Sequence, residues 1–184
     1  MSRIVVFLAE GFEEIEAIVP IDILRRGGVE VTIAGIGGSE ITGAHGVKVA
    51  ADMILESVDQ FAGFDGCMLP GGMPGAANLA NCWEVNELII RMFNDGRIVS
   101  AICASPAVVL AKLGILDNRQ AVCYPGAESF APECEFGDQP VLTDGNLITG
   151  RGPGYASDFG LAVLTALAGE QTAAEVGAAT LFLS

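Results

Sequence analysis

Between Ile98 and Leu110 the chain reads Ile-Val-Ser-Ala-Ile-Cys-Ala-Ser-Pro-Ala-Val-Val-Leu, and this stretch restricts the fold more tightly than any other. The run from about Arg97 to Ile102 is short, apolar and rich in β-branched residues, the pattern of a buried strand. The Ala/Val/Leu pattern after Pro106 is that of a helix. Cys103 is the joint. Ala101, Ala104 and Ser105 keep the turn small, and Pro106 suits a helix start because its missing N–H has no intrahelical partner in the first turn. A strand that breaks into a helix through one nucleophilic residue is a nucleophile elbow, which presents that side chain at the carboxyl end of a sheet. Free backbone N–H groups and the positive end of a helix dipole favour thiolate over thiol, so the joint predicts a Cys103 pKa well below that of a free cysteine. The same residues also suit a small buried hydrophobe filling a tight turn, a common fate of cysteine.

The flanking segments supply the sheet that such an elbow needs. Arg3 to Ala9 reads as a first strand, turned at Gly11. Ile15 to Arg26 reads as a helix with an apolar stripe of Ile15, Ile18, Val19, Ile23 and Leu24, closed by Gly27-Gly28. Pro20 falls inside this stripe and predicts a kink or a fresh start. Val29 to Ala34 reads as a second strand, completing a βαβ unit with a right-handed crossover. Gly35 to Gly38 lacks the full G-x-G-x-x-G spacing, and Ile41 to Ala50 alternates as a hairpin does, so no dinucleotide cofactor is expected. Phe64 to Leu69 is a strand ending in Pro70-Gly71-Gly72-Met73-Pro74-Gly75, a loop whose backbone can approach a ligand closely or simply turn. Glu84 to Asn94 reads as an amphipathic helix, Ala121 to Cys123 as a short strand before Tyr124-Pro125, and Pro140 to Gly150 as a hairpin turned at Asp144-Gly145. After Arg151-Gly-Pro-Gly a helix runs from about Tyr155 to Leu167. Strands alternating with helices, without repeat or linker, predict one domain over 1–184: an α/β three-layer sandwich around a doubly wound, mostly parallel sheet.

Composition narrows the function. Nine basic residues against 23 acidic ones give a net charge of −14, which opposes stable binding to nucleic acid or to an anionic membrane surface. The five cysteines, Cys67, Cys82, Cys103, Cys123 and Cys134, form no C-x-x-C pair, and their odd number suits neither a disulfide framework nor a zinc site. No metal is expected. The N-terminal apolar stretch is too short for a signal sequence and no stretch suggests a membrane span, so a cytoplasmic, thiol-reducing setting is the expectation.

Three stretches in order, Gly11-Phe-Glu-Glu-Ile-Glu16, Leu69-Pro-Gly-Gly72 and Ala101-Ile-Cys103-Ala-Ser-Pro106, with Arg151-Gly-Pro-Gly154 as a fourth, resemble the ThiJ/PfpI superfamily over essentially the whole chain. Within it the sequence is most similar to the YajL-like branch, related to the Parkinson disease protein deglycase. The resemblance implies a flavodoxin-like sandwich, a homodimer, a nucleophilic cysteine at Cys103, a carboxylic acid at Glu16 hydrogen-bonded to its sulfur, and an oxyanion pocket from the N–H groups of Gly72 and Ala104. Many members carry a histidine where this chain has Tyr124, which weakens a Cys-His hydrolase reading. His45 stands where close relatives carry an arginine near the dimer partner's site, and it also reads as a surface histidine without a role. Gly71, Tyr124 and His45 are the further positions that could line the site.

Chemistry supports one leading function and one rival. A thiolate adds to carbonyl electrophiles, and a neighbouring carboxylic acid can protonate the oxygen that develops charge. Glu13 and Glu14 read as acids complementing the helix N-terminus, and the family resemblance is what assigns this task to Glu16. The expectation is a cofactor-independent enzyme acting on α-oxoaldehydes such as glyoxal or methylglyoxal, or on their early adducts with amines and thiols, giving hydroxy acids. The rival is an oxidative-stress sensor or redox-regulated chaperone working through Cys103 oxidation.

Overall fold

The computed structural model describes residues 1–182. Strand β1 (Arg3–Leu8) leads to helix α1 (Glu14–Arg26), then β2 (Glu30–Gly35) and the small hairpin β3 (Glu40–Thr42) and β4 (Lys48–Ala50). After β5 (Met53–Ile54) come β6 (Gly66–Leu69), α2 (Gly75–Ala80), α3 (Trp83–Asn94) and β7 (Ile98–Ile102). The chain continues through β8 (Ala121–Val122), β9 (Phe136–Gly137), β10 (Val141–Asp144), β11 (Leu147–Gly150), α4 (Ala156–Ala168) and α5 (Glu170–Ala179).

Seven strands form one sheet in the order β10-β11-β7-β6-β1-β2-β5, parallel except for β10, which pairs antiparallel with β11 at one edge. The order reverses between β1 and its two neighbours, β6 and β2, as a doubly wound sheet requires. Alternation along each strand splits the core into two layers. On one face Ile4, Val6 and Leu8 of β1 pack with Ile23 and Leu24 of α1 and Phe159 and Leu164 of α4. On the other, Val5 and Phe7 pack with Val85, Leu88 and Ile89 of α3. The architecture is therefore a flavodoxin-like αβα sandwich. Among the described residues no helix is long and apolar enough to cross a membrane.

Two local expectations are corrected. Pro20 does not start the helix afresh: α1 runs unbroken from Glu14 to Arg26, and the proline withholds the N–H that the Glu16 carbonyl would have accepted. The stripe assigned to this helix is also displaced at its start. Ile15 and Ile18 are exposed, while Glu14 and Glu16 are buried together with Ala17, Pro20, Ile21, Ile23 and Leu24. The first turn of α1 thus buries carboxylates and shows isoleucines to solvent.

Candidate active site

The ends of β1, β6 and β7 lie side by side because the three strands are parallel, and Glu16, Gly71 and Cys103 follow those ends. Cys103 adopts φ 64°, a left-handed conformation that costs a residue with a Cβ about 1–2 kcal/mol. Backbone bonds hold it there: its N–H donates to the Gly150 carbonyl at 2.9 Å, and its carbonyl accepts the Tyr124 N–H at 2.8 Å. The expected elbow is present, but the helix behind it is not a regular α-helix. Residues Pro106–Leu110 make a five-residue π turn and Ala111–Leu113 a 3-10 turn, ending at Gly114 in the left-handed region. The backbone is nevertheless helical from Ser105 to Leu113, so its first N–H groups and its dipole still favour the thiolate, and other groups decide the balance.

The Cys103 sulfur also meets specific groups. The N–H groups of Gly72 and Ala104 face it and favour the thiolate; burial and the facing Glu16 carboxylate work the other way and prevail. The thiol is therefore pushed up, the reverse of the sequence expectation. Glu16 is fully buried. Its Oε2 accepts the Gly71 N–H at 2.9 Å, and its Oε1 has no partner of good hydrogen-bond geometry. Burial raises its pKa from 4.5 to about 7, assisted by the charge of Glu13 and opposed by its contacts with Cys103 and Gly71. The two shifts have one origin. An apolar pocket resists two negative charges, so carboxyl and thiol hold a proton between them. Once Glu16 carries that proton, the charge that disfavours thiolate is gone and an O–H donor faces the sulfur.

Gly71 is the spacer that permits this contact. A Cβ placed on it would lie 2.6 Å from the Cβ of Cys103 and 2.7 Å from Oε2 of Glu16. Ser105, which sequence reading treated only as a small flanking residue, ties the loop to the elbow: its buried hydroxyl donates to the Pro70 carbonyl at 2.6 Å. The signal was available, since a hydroxyl two residues after a nucleophile at a crowded strand end has to find an acceptor.

The other acids have separate tasks. Glu13 is the N-cap of α1, its carboxylate accepting the Glu16 N–H at 2.8 Å. Glu14 does more than complement the helix N-terminus: it anchors the β3–β4 hairpin, accepting the His45 N–H at 2.7 Å and lying 2.8 Å from Nδ1 of the His45 ring. Burial works against the Glu14 charge, but hydrogen bonds from the His45 ring and from the His45 and Val47 N–H groups keep its pKa below the usual value. The same contact raises His45, whose side chain is 73% exposed. Glu13, Glu14 and His45 place donor atoms within 4.8 Å of one another, close enough to share a cation, yet each is engaged in the bonds just described. Tyr124 meets the elbow through its backbone; its half-exposed ring belongs to a neighbouring cleft shared with Pro125 and residues 151–155. All five cysteines are free thiols.

A parallel α/β sandwich with a left-handed cysteine after a central strand, a buried carboxyl against its sulfur and a diglycine loop beside both defines a class of cysteine-elbow proteins. The model of the DJ-1/PfpI family matches residues 2–166, and the chain belongs to that family. It is similar to "Glutathione-independent glyoxalase DJR-1.2" of Caenorhabditis elegans, with 34% identity over 171 residues, 92% of this chain and 90% of the relative. "Protein DJ-1 homolog B" of Arabidopsis thaliana is 36% identical over 177 residues, 95% of this chain, but the chain spans only 40% of that relative's length. Among solved structures, "Toxoplasma gondii DJ-1, oxidized" superposes with a TM-score of 0.92 at 32% identity, covering 98% of each chain.

Proposed function

We propose that this protein is a cofactor-independent enzyme that converts α-oxoaldehydes such as glyoxal and methylglyoxal, or their early adducts with amines and thiols, into hydroxy acids. The observation that carries the reading is the buried Glu16 carboxyl, with a pKa near neutrality and an unpartnered oxygen, beside the sulfur of a conformationally constrained cysteine. The Glu16 carboxylate takes the Cys103 thiol proton as the sulfur adds to the aldehyde carbon, forming the C–S bond, and passes that proton to the former aldehyde oxygen, so that Glu16 is a carboxylate again. The thiohemiacetal then loses the proton on that carbon to the Glu16 carboxylate, which returns it to the adjacent carbonyl carbon, while the hydroxyl proton passes to the adjacent oxygen, leaving the thioester of a hydroxy acid. Water cleaves the C–S bond, releasing lactate from methylglyoxal and restoring the thiol. Substrate plus water equals product, so no external oxidant or reductant is needed. The N–H groups of Gly72 and Ala104 are the donors available to oxygen charge next to the sulfur. The name of the C. elegans relative supports this class of chemistry.

The reading includes a homodimer, supported by the exposure of Ile15 and Ile18 on the first turns of α1, and a cytoplasmic setting, supported by five free thiols. A second reading, a redox sensor or redox-regulated chaperone, is favoured by the same groups: Gly72, Ala104 and a protonated Glu16 can donate to the oxygens of an oxidised Cys103. The two separate in one experiment on dialysed protein. Catalytic lactate formation from methylglyoxal, lost in Cys103→Ser, supports the enzyme. Absence of turnover with selective Cys103 oxidation by peroxide supports the sensor.

A further inference from the structure

The side of the elbow away from Glu16 carries a second set of groups that the chemistry above does not use. Tyr124, Pro125 and the segment from Arg151 to Tyr155 line a cleft of about 260 Å³. The backbone joins both of its walls to the nucleophile, since Gly150, just before Arg151, accepts the Cys103 N–H and Tyr124 donates to the Cys103 carbonyl. A Cβ on Gly152 would lie 3.0 Å from Cδ2 of Tyr124, so this ring rests on the Arg-Gly-Pro-Gly segment. Both tyrosines are substantially exposed, at 48% and 37%.

Arg151 is unusual in this chain. The protein has nine Lys and Arg residues, and Arg3, Arg25, Arg26, Lys48, Arg91, Arg97 and Arg119 each form an ion pair with a carboxylate. Among the described residues only Lys112 and Arg151 form none. Lys112 donates to the Ala80 carbonyl elsewhere. Arg151 is half-buried, and its Nη1 donates to the Asp138 carbonyl at 2.6 Å. That bond aims the guanidinium without neutralising it. Its charge acts on the Cys123 thiol, next to Tyr124, against that of Glu128, whose carboxylate is occupied by the Gly126 N–H at 2.6 Å. A half-buried guanidinium with no carboxylate partner can take an anion locally, against the overall negative field of the chain, and the planar fork of arginine matches a carboxylate in particular.

We propose that the Tyr124–Arg151–Tyr155 cleft is a carboxylate-binding subsite for the part of the substrate not under attack at Cys103. Resting on the aldehyde-converting reading, this makes the substrate class α-oxoaldehydes or adducts whose carrier bears a carboxylate beside a flat or apolar body. The tyrosine rings hold the body and Arg151 holds the charge, so neutral analogues of the same shape bind less well.

The test is a titration of the full-length, isotope-labelled protein with benzoate, and with benzamide as its neutral isostere, followed by the backbone amide signals of Tyr124, Gly152, Gly154 and Tyr155. Benzoate is expected to shift these signals saturably and to bind at least about tenfold more tightly than benzamide, the scale of one charge-assisted contact. Arg151→Gln should remove that preference while leaving benzamide binding in place, and Arg151→Lys should keep part of it. Equal affinity for the two probes in the unmodified protein, or scattered shifts across the surface, overturns the proposal without recourse to any variant. Benzoate preference unchanged in folded Arg151→Gln also overturns it. Binding is read without turnover, so failure of methylglyoxal conversion would remove the enzyme reading and leave the subsite standing on its own titration.

Discussion

Replacing Glu16 with glutamine removes the one buried carboxyl of the site and should make the protein more stable as pH rises. Glu16 is fully buried, and its pKa is raised from 4.5 to about 7, chiefly by burial. In the unfolded chain it is solvated and ionises at its ordinary value. A group with a higher pKa in the folded state contributes stability that is complete below 4.5 and is lost as pH rises toward 7. The interval corresponds to roughly 3 kcal/mol when fully developed, most of which falls between pH 5 and pH 8. The introduced glutamine side chain would keep an acceptor for the Gly71 N–H and an N–H₂ toward Cys103, and it does not titrate. The stability of Glu16→Gln minus that of the native chain should therefore grow by about 2–3 kcal/mol from pH 5 to pH 8. Urea denaturation at several pH values measures this, with equal slopes in both proteins confirming that the midpoints compare like with like. Every other titrating group is common to both chains and largely cancels. A difference independent of pH would refute the reasoning, because it would mean that Glu16 ionises in the folded protein as readily as in water.

Gly71→Ala should cost about 1–3 kcal/mol in the same denaturation assay and slow methylglyoxal turnover by about 10², because the added Cβ falls 2.6 Å from Cys103 and 2.7 Å from Glu16. Native turnover in this variant would show that the carboxyl–sulfur contact is not needed. The ring-proton signals of His45 should titrate with a midpoint above 6.5, as its bond to Glu14 requires, and return to about 6.5 in Glu14→Gln. The stabilisation from this pair is present below the unfolded histidine value and is lost as pH rises through the raised one, so an unshifted midpoint would remove the hairpin anchor. Ile18→Asp should convert a dimer to a monomer by light scattering; a native chain that is already monomeric contradicts the homodimer.

What was legible in the sequence follows the range of the forces involved. The strands at Arg3–Leu8, Glu30–Gly35 and Ile98–Ile102 stand out because β-branched runs closed by turn residues are local signals, and Cys103 was identifiable as the joint from its small neighbours and Pro106. Composition and periodicity could not show which side of the first turn of α1 faces the sheet. Glu14 and Glu16 are buried because the hairpin, the Gly71 N–H and the cysteine, all distant in sequence, provide their partners. An apolar-stripe argument assigns burial to Ile15 and Ile18 by default. The reversed thiol shift has the same cause. The helix-terminus argument counted peptide dipoles after Pro106 and left out the burial of the sulfur and the charge of the carboxylate that the family resemblance sets against it. The role of Ser105 likewise depends on a carbonyl 35 residues away.

The central claim is that Glu16 and Cys103 work as one proton-sharing pair in turnover, and the pH dependence of kcat/KM for methylglyoxal tests it most directly. For the native chain the profile should show an ionisation near pH 7 belonging to the free enzyme's pair. In Glu16→Gln that ionisation should vanish and kcat/KM should fall by about 10² to 10⁴, the scale of losing a general acid–base group. A native profile flat from pH 6 to 8, or one that keeps its shape and height in Glu16→Gln, would contradict the account.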